Sequence, residues 1–135
     1  MAPHTMKEEY REVTFTLPKP PSLNQFYAGK HFAVRQKYKK EYNEHIKEAL
    51  SQIDPFHADT FKICMVHNTR YDCDNTILSI KFLSDYLKDN GYVTDDSKKY
   101  FKGLDIRVIR DGEDIEKDKV FIRLKLYGVT EQELQ

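Results

Sequence analysis

The chain lacks tryptophan, holds two cysteines, five glycines and five prolines, and has no excess of either charge, with 22 Lys plus Arg against 22 Asp plus Glu. Each shortage excludes something. Cys64 and Cys73 are too few for a disulfide scaffold and fit a reducing compartment. Zero formal net charge excludes a uniformly basic nucleic-acid coat. No apolar run approaches the roughly 20 residues that span a bilayer, and no signal-peptide core opens the chain. The expectation is a cytoplasmic protein with no membrane partner. No repeat, linker or low-complexity segment interrupts it.

What is present suits one globular domain. The 135 residues are 39% hydrophobic and 33% charged, with eight Phe and nine Tyr. That is too apolar for a disordered chain, and long enough to bury about two-thirds of the unfolded surface without a disulfide or metal. Residues 1–10 lack periodicity and read as a disordered segment or an expression remnant, with Met6 as the natural start. The domain is expected over 11–128, with a tail at 129–135.

Hydrophobic periodicity sets out the elements. Val13, Phe15 and Leu17 alternate with threonines, which predicts a half-buried strand, and Pro18, Pro20 and Pro21 then stiffen an extended segment. Val34, Tyr38, Tyr42, Ile46 and Leu50 recur every four residues and predict a helix over 34–52, stopped by Asp54-Pro55. Residues 61–67 read as a second strand. A second helix over 75–89 closes on Asn90-Gly91. It carries two apolar stripes: Ile77, Ile80, Leu83 and Leu87, and then Leu78, Phe82 and Tyr86. The second stripe needs a cover, either a partner subunit or another helix of the chain. Leu104, Ile106 and Val108, then Val120, Ile122, Leu124 and Leu126, read as a hairpin that reverses at Asp111-Gly112. The order β-α-β-α-β-β predicts an α+β fold, a single small domain with a mixed sheet and helices packed on it.

The residues that suggest chemistry are acidic. Asp72, Asp74 and Asn75 stand at a strand-to-helix junction, and Asp95 and Asp96 follow the helix. Alternation puts Asp72 and Asp74 on one side. If the two pairs converge, their repulsion is relieved by a hard divalent cation, which takes carboxylate oxygens and can activate water for phosphodiester hydrolysis. The plainer alternative is a helix cap at Asp74 and a solvated turn at 95–97. An EF-hand loop is excluded, because the sixth and twelfth positions from Asp72 are Ile77 and Leu83. Cys64, His67 and Cys73 have poor zinc spacing and read as a buried thiol, a strand-end histidine and a loop thiol. Charge is segregated: residues 25–40 carry Lys30, Arg35, Lys37, Lys39 and Lys40 with no acid, and residues 111–118 are mostly acidic.

LPKPPSLNQFY at 17–27, DCDN at 72–75, KFLSDYL at 81–87 and GYVTDDS at 91–97 together resemble the RusA-type Holliday junction resolvases, over residues 12 to 127. The resemblance implies a homodimeric, Mg²⁺-dependent endonuclease, with Mn²⁺ as a substitute, from a bacterium, phage or prophage. It implies paired, symmetric cuts in four-way DNA junctions, leaving 5′-phosphate and 3′-hydroxyl ends, in recombination and repair. The metal carboxylates would be Asp72, Asp74 and Asp96, with Asp95 as a neighbouring or alternative ligand. The family's catalytic lysine falls on Leu78; Lys81 takes its place across a three-residue insertion. Lys81 would then offset phosphate charge, the alternative being a surface lysine paired with Asp85. Lys30, Arg35, Lys37, Lys39, Lys40 and Arg70 would contact DNA, while Asn24 braces the proline loop. The displaced lysine keeps open a branched-DNA-binding module without cleavage, and a flap or fork nuclease of the same fold stands as a further alternative.

Overall fold

The computed structural model describes residues 10–27 and 31–131. The predicted first strand is β1 (Tyr10–Pro18), which buries Val13 and Leu17 and leaves Phe15 half-buried. The proline segment does not stay extended. It turns into α1 (Leu23–Tyr27), because Ser22 and Gln25 form a reciprocal cap. The Gln25 amide donates to Ser22 Oγ at 3.1 Å, and the Ser22 amide donates to Gln25 Oε1 at 3.0 Å. The Ser-x-x-Gln spacing was the signal for this helix, and the run of prolines masked it.

The second helix, α2 (Phe32–Leu50), starts two residues earlier than its stripe suggests and unwinds at Ser51 ahead of Pro55. Tyr42, Ile46 and Leu50 are buried, but Val34 is exposed. After the short β2 (Phe56–His57) comes β3 (Thr60–Asn68), with Phe61, Ile63, Met65 and His67 buried in alternation. A 3₁₀ turn at Cys73–Thr76 leads into α3 (Ile77–Asp89). This helix ends as Asn90-Gly91 promises. Gly91 takes φ 81°, and the Tyr92 amide reaches back to the Leu87 carbonyl at 2.9 Å. Then follow β4 (Phe101–Val108), β5 (Lys119–Tyr127) and β6 (Thr130–Glu131).

The sheet order is β1-β5-β3-β4, with β2 and β6 forming a separate antiparallel pair. β3, α3 and β4 make a βαβ unit, since β4 runs parallel to β3. β5 runs antiparallel to both β3 and β1. The expected hairpin is therefore wrong, because β3 lies between β4 and β5. The turn itself exists: the Glu113 amide donates to the Arg110 carbonyl at 3.1 Å, with Gly112 at φ 89°. The connection carries the chain past the end of β3 and is pinned there. Asn68 donates through Nδ2 to the Ile115 carbonyl at 2.6 Å and accepts at its carbonyl from the Asp118 amide at 2.7 Å.

The core is one layer between the sheet and the helices. The second stripe of α3 is covered within the chain. Leu78 and Phe82 are buried, and the Phe82 ring meets Phe26 of α1 and Tyr42 of α2 at 5.5 and 5.6 Å. A subunit interface over this stripe is thereby excluded; the cover is the chain's own α1 and α2. Tyr42 also donates to the Pro18 carbonyl at 2.6 Å and shares a 2.6 Å bond with Ser79, which ties α2 to β1 and α3. The architecture is a small mixed α+β domain with helices on one face of a mixed sheet.

Candidate active site

β3 delivers the chain to the 3₁₀ turn at the end of the sheet, and that turn presents Asp72 and Asp74 to solvent. Asp72 holds the N-cap position, yet its side chain makes no capping bond; its carbonyl accepts the Asn75 amide at 2.9 Å. The turn is closed instead by Thr76, whose hydroxyl donates to the Cys73 carbonyl at 2.6 Å. Asp74 has no hydrogen bond or ion pair among the described residues. Asp74 is therefore spared the capping work that the plainer reading assigned it, and the Asp72 side chain is spared it too.

Beneath them lies a thiol–imidazole contact. His67 is fully buried at the end of β3, with Nε2 3.4 Å from Cys73 Sγ and Nδ1 2.9 Å from Thr69 Oγ1. Burial pushes the His67 pKa below its ordinary value, which favours the neutral ring. Cys64 faces the opposite side of β3.

The second acidic pair lies farther along α3. Asp96 is half-buried and lies beside Asp85. Burial is the main cause that raises the Asp96 pKa; the neighbouring Asp85 carboxyl adds to it, and Lys88, 3.8 Å away, opposes it. Asp85 also holds Lys39 of α2 at 3.0 Å. Lys81, Ser84, Asp85 and Asp96 line an open cavity of about 350 Å³, whose apolar wall is Ile77, Ile80, Phe101 and Leu104. Lys81 forms no ion pair among the described residues. It is not the partner of Asp85, a place that Lys39 has taken. Asp85, which the sequence offered only as a surface partner for Lys81, is the further residue on this cavity wall. Its signal was the acidic position four residues after Lys81.

The structure thus brings together Lys81 and Asp96, but holds Asp72 and Asp74 at another level. Asp74 precedes Asp85 by eleven residues, roughly 16 Å along a helix axis. Among the described residues no three His, Cys, Asp or Glu side chains converge into a metal shell. The donor chemistry suits a hard divalent cation, since all four groups are carboxylates. The arrangement divides them into two pairs, with Lys81 between. Asp95 is half-buried beside Asp96.

The basic residues divide too. Lys37 and Lys40 are exposed on α2, Lys39 is tied to Asp85, and the Arg35 guanidinium lies 6.0 Å from the centre of the Tyr27 ring. Arg70 is exposed in the loop after β3, beside Lys117 and Asp118 in a second cavity. Asn24 is exposed on α1. Lys30 lies outside the described residues.

No protein-family model matches the chain, and no curated protein does. Among solved structures, a crystal structure of the hydrogenase maturation protein HypE aligns with 96% of this chain at 13% identity and a TM-score of 0.37. The chain spans about a third of that protein, 33% of its length. No helix among the described residues is long and apolar enough to cross a membrane.

Proposed function

We propose that the chain is a Mg²⁺-dependent endodeoxyribonuclease that cuts branched DNA as a homodimer, with four-way junctions as its substrate and recombination and repair as its setting. The four ordered motifs that resemble the RusA-type resolvases suggest it. The observation that carries it is the meeting of Lys81 and Asp96, from two separate motifs, on one cavity wall. Asp72 with Asp74, and Asp96 with Asp95 beside it, would each offer carboxylate oxygens to a divalent cation, which when bound polarises a phosphate oxygen and activates water. Lys81, with no ion pair among the described residues, would offset charge developing on a phosphate. Asp85 holds Lys39 and lines the cavity beside Asp96, which Lys88 holds. Lys37, Lys40 and Arg70 are placed for phosphate contacts, which supply affinity without reading sequence.

One observation favours a second reading, a module that binds branched DNA without cutting it: the carboxylates form two pairs rather than one shell. End-labelled four-way, forked and linear DNA, incubated with and without Mg²⁺, decides. Paired cuts in the four-way junction support the resolvase. Retention of junctions without any cut supports the binding module. Single cuts confined to forks or flaps would replace both with a flap or fork nuclease.

A further inference from the structure

The helix layer does not cover the sheet evenly. One row of side chains on its inner face runs Val13, Leu124, Ile63, Leu104, and another runs Leu17, Val120, His67, Val108. At the β1 end α2 packs over these rows, and Val13 and Leu17 are only 5% and 1% exposed. At the β4 end the same rows come out into solvent, with Leu104 and Val108 50% and 52% exposed. Among the described residues no strand pairs with the outer edge of β4.

The backbone of that edge is aimed outward at the apolar positions. The Ile109 amide donates to the His67 carbonyl at 3.0 Å. Ladder alternation then turns the amides and carbonyls of Leu104, Ile106 and Val108 away from β3. The Val108 carbonyl already accepts from its neighbour Arg107 at a long 3.3 Å; an edge with otherwise unpaired backbone groups and exposed apolar side chains is a template for another strand.

We propose that β4 pairs antiparallel with β4 of a second copy, about a two-fold axis through Ile106, to make one continuous sheet. The choice of a second copy rests on the homodimer of the proposed function; the register rests on charge. Centred on Asp105 or on Arg107, the pairing would set like charges directly opposite. Centred on Ile106, Asp105 faces Arg107 of the second copy on both sides of the axis, and Leu104 faces Val108. The paired residues Leu104, Ile106 and Val108 are those whose backbone groups point outward, so the ladder permits the register that the charges select. Arg107 keeps its own-chain partner Glu113 at 2.8 Å on that face. A two-fold normal to the sheet leaves both helix layers on one side. Leu104 lines the same cavity as Lys81 and Asp96, so the second strand borders each candidate site. Two sites then face one junction, as symmetric cutting requires.

Light scattering of the full chain at tens of micromolar tests this. The wild type should have twice the 16.0 kDa mass of one chain. Ile106→Pro removes an amide that faces the open edge rather than β3, so the fold should survive, with an unchanged circular dichroism spectrum, and the mass should fall to that of one chain. Leu104→Lys with Val108→Lys, both at exposed positions, should do the same and guards against a proline variant that fails to fold. Asp105→Arg should weaken the dimer at least tenfold. A monomeric wild type, or a folded dimer in both edge variants, overturns the interface. The nuclease reading is scored separately with the same proteins. A wild type that dimerises through this edge but cuts no DNA keeps the interface and loses the nuclease; a monomer that cuts does the reverse.

Discussion

One flank of α3 presses Leu78, Phe82, Leu83 and Leu87 into the core, while the other lays Ile77, Lys81, Ser84 and Asp85 along an open cavity. Thirteen residues thus serve as structural wall on one side and candidate site on the other. On the packed flank the Phe82 ring is fixed by two neighbours, Phe26 and Tyr42. On the open flank charge does the holding: Lys39 to Asp85 and Lys88 to Asp96, which offset the repulsion between the two neighbouring carboxylates. The difference separates two kinds of mutational effect. The packed flank governs whether the chain folds, and the open flank governs what it does once folded.

The largest effect should come from the packed flank. Phe82→Ala leaves a cavity among three elements and should cost about 3–5 kcal/mol in urea unfolding. A loss under about 1 kcal/mol would mean that this flank is not the structural one. Next is Asp74→Asn at the exposed end. It should slow Mg²⁺-dependent junction cutting by at least ~100-fold, about 3 kcal/mol of barrier, with unfolding unchanged. Junction binding should hold or tighten, because a charge that repels phosphate is gone. Asp72→Asn and Asp96→Asn should be equally inactive. A dead Asp95→Asn beside an active Asp96→Asn would move the ligand role by one position.

Asp96 adds a pH effect. Its folded pKa lies above the ordinary value of 3.8, so between those values the folded chain binds more protons than the unfolded one. Stability therefore falls as pH rises through that window and stays lower beyond it. Asp96→Asn should flatten this fall and gain stability at neutral pH, read from urea midpoints at several pH values. An unchanged pH profile would place Asp96 in solvent. The smallest effects separate neighbouring lysines. Lys40→Glu should weaken binding to every DNA structure and lower the salt slope by about one phosphate contact, with stability unchanged. Lys39→Glu should cost up to about 1 kcal/mol of stability as well, since it removes the partner of Asp85. If the two variants match in both assays, the Lys39–Asp85 pair does not distinguish them.

How much of this was legible in the sequence depends on the range of the signal. Period-two runs located β1, β3, β4 and β5, and the four-residue stripe located α2. Asn90-Gly91 marked the end of α3, because a left-handed stop is a property of adjacent residues. The start of α3 was less legible. A 3₁₀ turn differs from an α-helix in one hydrogen bond, and Thr76 chooses it by bonding Cys73. The candidate site was readable as residue types, Asp72, Asp74, Asp95, Asp96 and Lys81, but not as an arrangement.

Sequence alone determined which residues form strands and helices, where the helix stops fall, and that acidic groups flank α3 on both sides. Those are local matters of periodicity, backbone preference and chemical type. Only the tertiary structure decided that β5 lies beside β3 and leaves β4 at the edge, that α1 and α2 cover Phe82, and that Lys39 rather than Lys81 takes Asp85. An alternating pattern states that one face of a strand is buried, and says nothing of which strand lies beside it. Pairing and cover are settled by competition among distant segments for the same apolar surface and the same charges.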